Sequence, residues 1–251
     1  MLEVIDLVKN YGKKQAVKGI SFTVKPGEIF GFLGHNGAGK STTIKICSGL
    51  LKPTSGNVKI CGHDIASHPI DAKRNLGYVP ENPYLYSKLT GREFLMMVSG
   101  IYSKKVSKDE LKRIDDLLEE LQIIDDADKL IGTYSQGMRR KITVGAAILH
   151  RPKVLLLDEP TTALDAVSAK VAKDLFRKYA NEGSAILFTT HIMEIAERIC
   201  DRIGVIYQGE LIAVGTLNQL KEKAALPGST LEDIFVELTK SNQMESDGSE
   251  G

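Results

Sequence analysis

An α/β fold with a mainly parallel sheet is what this chain of 251 residues predicts, and two patterns predict it. Residues 154–157 and 185–189 are short, unbroken apolar runs, as expected of strands covered on both faces. Between about Asn82 and His150 the apolar spacing turns helical, so a helical insertion interrupts the strand–helix alternation. Hydrophobic residues make up 42% and charged residues 26%, which supports a packed domain and not a disordered chain.

In chain order, the first thirty or so residues read as strands joined by turns: Phe22-Thr23-Val24 runs into the turn signal Pro26-Gly27, and 29–33 is an apolar strand ending at Gly34. Val58-Lys59-Ile60 is extended and Cys61-Gly62-His63-Asp64 turns it; 76–79 is a further strand, stopped by Pro80. Ser107-Lys108-Asp109-Glu110 is a capping-box sequence, followed by Leu111, Ile114, Leu117, Leu118 and Leu121 at helical spacing. Residues 203–207 and 211–214 flank Gln208-Gly209 and predict a hairpin at the sheet edge. The tail 240–251 is rich in Ser, Gly and acids and predicts disorder beyond a domain spanning 1–239.

Lys and Arg number 33 against 32 Asp and Glu, a net charge of +1, which removes the electrostatic footprint of a nucleic-acid binder. Cys47, Cys61 and Cys200 are too few and scattered for a disulfide framework, and a reducing compartment fits them best. Cys61, His63 and His68 lie close together without assembling four metal ligands. The first residues carry Glu3 and Asp6 with no basic flank, unlike a signal peptide. No stretch approaches the ~18 apolar residues that cross a bilayer, so work at a membrane requires spanning helices on another chain.

Gly34-His35-Asn36-Gly37-Ala38-Gly39-Lys40-Ser41-Thr42 satisfies the pattern G-x-x-x-x-G-K-[ST] between a strand and a helix-compatible segment. Glycines 34, 37 and 39 let the backbone wrap a polyphosphate, with the loop from Gly34 through Asn36 and Ala38 to Thr42 lining it. Lys40 reaches the β- and γ-phosphates and the Ser41 hydroxyl ligates Mg²⁺. The run Val154-Leu155-Leu156-Leu157 ends in Asp158-Glu159, two carboxylates at the carboxyl end of a buried strand, where open α/β sheets bind ligands. Asp158 suits a Mg²⁺ contact, and Glu159 suits polarisation of a water attacking the γ-phosphorus.

With these motifs in place, the sequence resembles the ATP-binding cassette (ABC) family of transport ATPases over nearly its whole length. Tyr134-Ser135-Gln136-Gly137-Met138 is similar to the family signature Leu-Ser-Gly-Gly-Gln; Ser135 and Gly137 match, while Tyr134, Gln136 and Met138 depart from it. The resemblance implies a P-loop NTPase core with a mainly parallel sheet, an N-terminal antiparallel β subdomain and an inserted α-helical subdomain. It also implies that Tyr11 stacks on adenine, that Asp165 belongs to a loop bridging two active sites, and that His191 touches the γ-phosphate. Glu81 stands where the family has a Gln that senses Mg²⁺ and the transmembrane partner. Together with Leu231-Glu232-Asp233-Ile234-Phe235 it resembles the subgroup that drives export.

The activity implied by the resemblance is that of an ATPase using ATP and Mg²⁺, with Lys40, Glu159 and His191 as its catalytic residues. Two copies face head to tail, each ATP held between Lys40 of one and Ser135 of the other. A separate transmembrane permease docks in the groove near Glu81, and the subunit sits in the cytoplasm on the inner face of the cell membrane. Nucleic acid is not among the expected partners. Arg139, Arg140 and Lys141 read as a solvated helix face. A soluble cassette of translation or DNA repair would resemble tandem cassettes or carry a long coiled-coil insertion, and this chain has neither. Intact Lys40, Asp158, Glu159 and His191 argue against a scaffold without catalysis.

Overall fold

Strand alternation begins at the N terminus, where Leu2 and Val4 turn inward and Leu7 follows three residues later instead of two. A bulge absorbs the extra residue: the register shifts between Val4 and Leu7, and Asp6 takes a left-handed backbone at φ 46°. The computed structural model describes residues 1–103, 107–161 and 166–248. Its elements are β1 (Leu2–Tyr11), β2 (Lys14–Val24), β3 (Ile29–Leu33), α1 (Lys40–Cys47), β4 (Ser55–Ile60), β5 (His63–Asp64), α2 (Pro69–Arg74), β6 (Leu76–Val79) and α3 (Gly91–Tyr102). After these come α4 (Lys108–Glu120), α5 (Gln136–Ile148), β7 (Val154–Asp158), α6 (Ala166–Asn181), β8 (Ala185–Thr190), α7 (Met193–Ile199), β9 (Arg202–Tyr207), β10 (Glu210–Gly215), α8 (Leu217–Lys223) and α9 (Leu231–Gly248).

Two sheets result. The N-terminal one is antiparallel, in the order β2-β1-β4-β5; the larger runs β10-β9-β3-β8-β7-β6. Every pair in the larger sheet is parallel except the β9–β10 hairpin at its edge. All residues of β3, β7 and β8 are buried, which explains the unbroken apolar runs: both faces of each strand are covered. Phe22 of β2 stacks on Phe30 and Phe32 of β3 at centroid distances of 5.3 and 5.2 Å and ties the two sheets together.

The insertion between β6 and β7 holds α3, α4 and α5. The Ser107–Glu110 capping box closes as its sequence predicts, and a second one, Thr90–Glu93, starts α3. Ile114, Leu117, Leu118 and Leu121 are buried against Leu95 and Ile142, whereas Leu111 faces out. At the other end of the chain, Leu231, Ile234, Phe235 and Leu238 dock α9 beside Leu33 and Val205. The helix then continues to Gly248. Among the described residues, no helix is long and apolar enough to cross a membrane.

His150 closes the insertion against the core. Its ring stacks on Tyr102 at 3.8 Å, Nε2 donates to the Leu76 carbonyl at 3.1 Å, and Nδ1 is buried without a partner. Burial, aided by nearby Arg113, pushes its pKa down to about 4. The unfolded chain takes up a proton near the ordinary value of 6.5 and the folded chain does not. Stability is therefore full above that value and falls as pH drops toward 4. With the ring part-exposed, the loss is expected to be of the order of 1–2 kcal/mol. His150→Phe, which keeps the stack on Tyr102, should flatten the slope of thermal stability across this interval; an unchanged slope would remove His150 as its source.

Candidate functional site

The loop from Gly34 to Gly39 needs its glycines for two separate reasons. A Cβ on Gly34 would lie 2.4 Å from the Ile206 carbonyl oxygen of β9, which leaves no room for a side chain. Gly39 adopts φ 116° where it caps α1, and its Cβ would come within 2.8 Å of Ala16 O. The loop thus turns sharply from the buried end of β3 into a helix whose first N–H groups are free for an anion.

Tyr11, Asn36, Gly37, Gly39, Lys40, Ser41, Thr42, Glu81, Glu159 and His191 line one cleft of about 430 Å³, together with Lys14 and Ala16. Gly34 and Ala38 lie in the body of the loop, where Ala38 donates to His35 O at 3.1 Å and accepts from Gly209 N–H at 2.9 Å. Tyr11 is half exposed, with the Lys9 ammonium 5.3 Å from its ring centre. Ser135 and Gly137 do not line this cleft: Ser135 caps α5, accepting from Met138 N–H at 3.2 Å. Asp165 lies outside the described residues.

Lys40 is buried, and its ammonium donates to Gly34 O at 2.6 Å and His35 O at 3.2 Å. It also lies 3.9 Å from Glu159 Oε1. Burial lowers its pKa, against the opposing fields of Glu159, Asp158 and Glu81. That same Oε1 accepts from His191 Nδ1 at 2.9 Å, while Oε2 is buried without a partner. Glu159 holds a left-handed backbone at φ 47°, a conformation that costs a residue of this kind about 1 kcal/mol. Asp158 is paired in register with Thr189 and accepts from its hydroxyl at 2.7 Å. Burial raises the Asp158 pKa, the Thr189 bond opposing it. The carboxylates of adjacent residues therefore have different surroundings, one fixed to the sheet and one opening on the cleft.

Arg140 corrects the sequence reading. It is not on a solvated face but is 5% exposed, and its guanidinium bonds to the backbone behind the cleft. Nε donates to Pro160 O at 3.0 Å, Nη1 to Glu81 O at 3.1 Å and to Pro80 O, and Nη2 to Asp158 O at 3.2 Å and to Glu159 O. Burial lowers its pKa, while Asp158, Glu81 and Glu159 counter that effect. Its neighbour Arg139 stays exposed, so the run Arg139-Arg140-Lys141 gave no sequence signal to single out Arg140. A second cleft, about 380 Å³, opens between core and insertion, lined by Leu50, Tyr78, Pro80, Tyr84, Phe94 and Tyr102 among others.

Known proteins resemble this chain over most of its length. The family described as ABC transporter matches residues 17–162. Linearmycin resistance ATP-binding protein LnrL of Bacillus subtilis (strain 168) is 42% identical over 236 residues, covering 94% of this chain and 75% of LnrL. The solved structure of an ATP binding subunit of an ABC transporter superposes with a TM-score of 0.89 at 34% identity, covering 95% of this chain and 99% of that one. An ATP-binding cassette in a dimeric post-hydrolysis state, bound to ADP and Pi, gives a TM-score of 0.78 at 26% identity over 86% of this chain and 99% of that one. A phosphate loop and a buried Asp-Glu strand end meet at one cleft in a chain that these comparisons match over most of its length: this chain belongs to the ABC transporter family and is its ATP-binding, ATP-hydrolysing component.

Proposed function

We propose that two copies of this chain close head to tail on MgATP and drive export through a separate transmembrane permease, at the cytoplasmic face of the cell membrane. The observation that carries the chemistry is the grouping of Glu159, His191 and Lys40 about one carboxylate oxygen, with the other oxygen of Glu159 buried and unpartnered. An acceptor with no donor is suited to taking a proton from the attacking water. His191 Nδ1 is committed to Glu159, so a contact of this ring with the γ-phosphate runs through Nε2. Lys40, now resting on loop carbonyls, exchanges them for phosphate oxygens. Tyr11 offers its half-exposed ring to the adenine.

The donors present also fit Mg²⁺. Ser41, Asp158 and Glu81 are hard oxygen ligands around the phosphate loop, and Mg²⁺ commonly takes one or two carboxylates and completes its shell with phosphate and water. When bound, it neutralises charge on the transferring phosphoryl group. Ser135 and Gly137 lie away from the cleft of their own chain, which favours completion of the site by the signature of a second copy; the loop containing Asp165 is assigned to bridging the two sites on resemblance alone. Export is favoured by Glu81, by the segment Leu231 to Phe235, and by the linearmycin resistance in LnrL's name. The apolar cleft beside Tyr84 and Tyr102 is the surface assigned to the permease.

Affinity purification of the tagged chain from detergent-solubilised membranes tests this reading. A chain with several membrane-spanning helices should co-purify in defined ratio and change the ATPase rate. Recovery on ribosomes or DNA, never in washed membranes, would overturn it.

A further inference from the structure

The signature helix α5 reaches the floor of the cleft through the Arg140 side chain. Strand β6 ends at Val79 and β7 at Asp158, and the carbonyls beyond those ends have left the sheet ladder. Buried backbone carbonyls need donors. A guanidinium carries one N–H on Nε and two on each terminal nitrogen, fixed in one plane. Arg140 places them on five carbonyls from two loops: Pro80 and Glu81 after β6, and Asp158, Glu159 and Pro160 at the end of β7. Glu159 adds an independent observation. Its left-handed backbone aims the carboxylate at the cleft, and Arg140 holds the carbonyl of that residue and of both its chain neighbours.

We infer that Arg140 is a positioning residue, one that locks the Glu81 loop to the Asp158–Pro160 turn and so fixes where the Glu159 carboxylate points. It does not line the nucleotide cleft. Because α5 begins at the capped Ser135 and carries Arg140 one turn further on, a shift of the signature end of this helix moves the carbonyls behind the catalytic carboxylate. Occupancy of the signature is thereby communicated to the base without a direct contact between them. Lysine does not replace arginine here, since an ammonium keeps the charge and loses the planar fork. This inference rests on Glu159 acting as the base.

The experiment is a double-mutant cycle on the full chain, reading steady-state ATP turnover, KM and equilibrium binding of a non-hydrolysable ATP analogue. Arg140→Met and Arg140→Lys are each expected to lower kcat by at least about tenfold while KM and analogue affinity stay within about threefold. In a Glu159→Gln background the same substitutions should lower the residual rate by less than about twofold, because the group that Arg140 positions is already disabled. Arg140→Lys is the deciding variant if Arg140→Met does not bind the analogue. The inference is overturned if Arg140→Lys keeps more than half of kcat, if KM rises as far as kcat falls, or if the loss is equal in both backgrounds. Near-normal turnover of Glu159→Gln by itself is a different outcome: it removes the base and overturns the proposal by taking away the group it acts on.

Discussion

Glu159→Gln is expected to bind ATP within a few-fold of the unaltered chain and to hydrolyse it about 10²–10³ times more slowly. The substitution keeps the volume of the side chain and an oxygen able to accept from His191 Nδ1, now 2.9 Å away. It removes the negative charge and the ability to take a proton from water. The buried, unpartnered Oε2 is the atom whose loss matters. With the charge removed 3.9 Å from Lys40, the pocket becomes more favourable to the anionic γ-phosphate, and closed dimers should accumulate with MgATP. Light scattering behind a sizing column, alongside phosphate release, reads both effects. Turnover within about threefold of normal would exclude Glu159 as the base.

Lys40→Ala should act at an earlier step. The ammonium is buried and held by two loop carbonyls, so it is pre-placed where the polyphosphate lies. Charge-assisted hydrogen bonds of this kind contribute about 1.5–3 kcal/mol each. ATP affinity is expected to fall by about 10–100-fold, and turnover further, since the γ-phosphate contact strengthens as charge develops. Calorimetric titration separates the two losses. The pKa shift adds a signature. Burial holds the Lys40 pKa below the usual 10.5 in the free protein, so the ammonium is lost at a lower pH than in an ordinary lysine. ATP affinity should therefore decline on the alkaline side before that value is reached, and this limb should be absent in Lys40→Ala. An identical alkaline decline in both proteins would place its origin elsewhere.

The elements most legible in the sequence are those whose cause is local. The phosphate loop reads directly because a positive φ at Gly39 and the absence of space at Gly34 admit little else. Strands β7 and β8 read directly because covering both faces makes nearly every residue apolar, and α4 because Ser107 and Glu110 cap it within one turn. The first thirty or so residues read as strands, but the bulge at Asp6 that shifts the inward phase between Val4 and Leu7 leaves no local sequence mark. Helix α9 is legible from its first residues, since Leu231, Ile234 and Phe235 recur at helical spacing and anchor it to the core.

By itself the sequence determined the nucleotide chemistry: a contiguous loop, an acidic strand end and a signature each carry their meaning within a few residues. Only the tertiary structure decided how these parts act on one another. The bond between His191 and Glu159 exists because β7 and β8 lie side by side with Asp158 opposite Thr189. Arg140 is buried while Arg139 is exposed because the carbonyls leaving β6 and β7 end beneath α5. Such contacts join residues tens of positions apart, and no local pattern encodes which strand ends will meet.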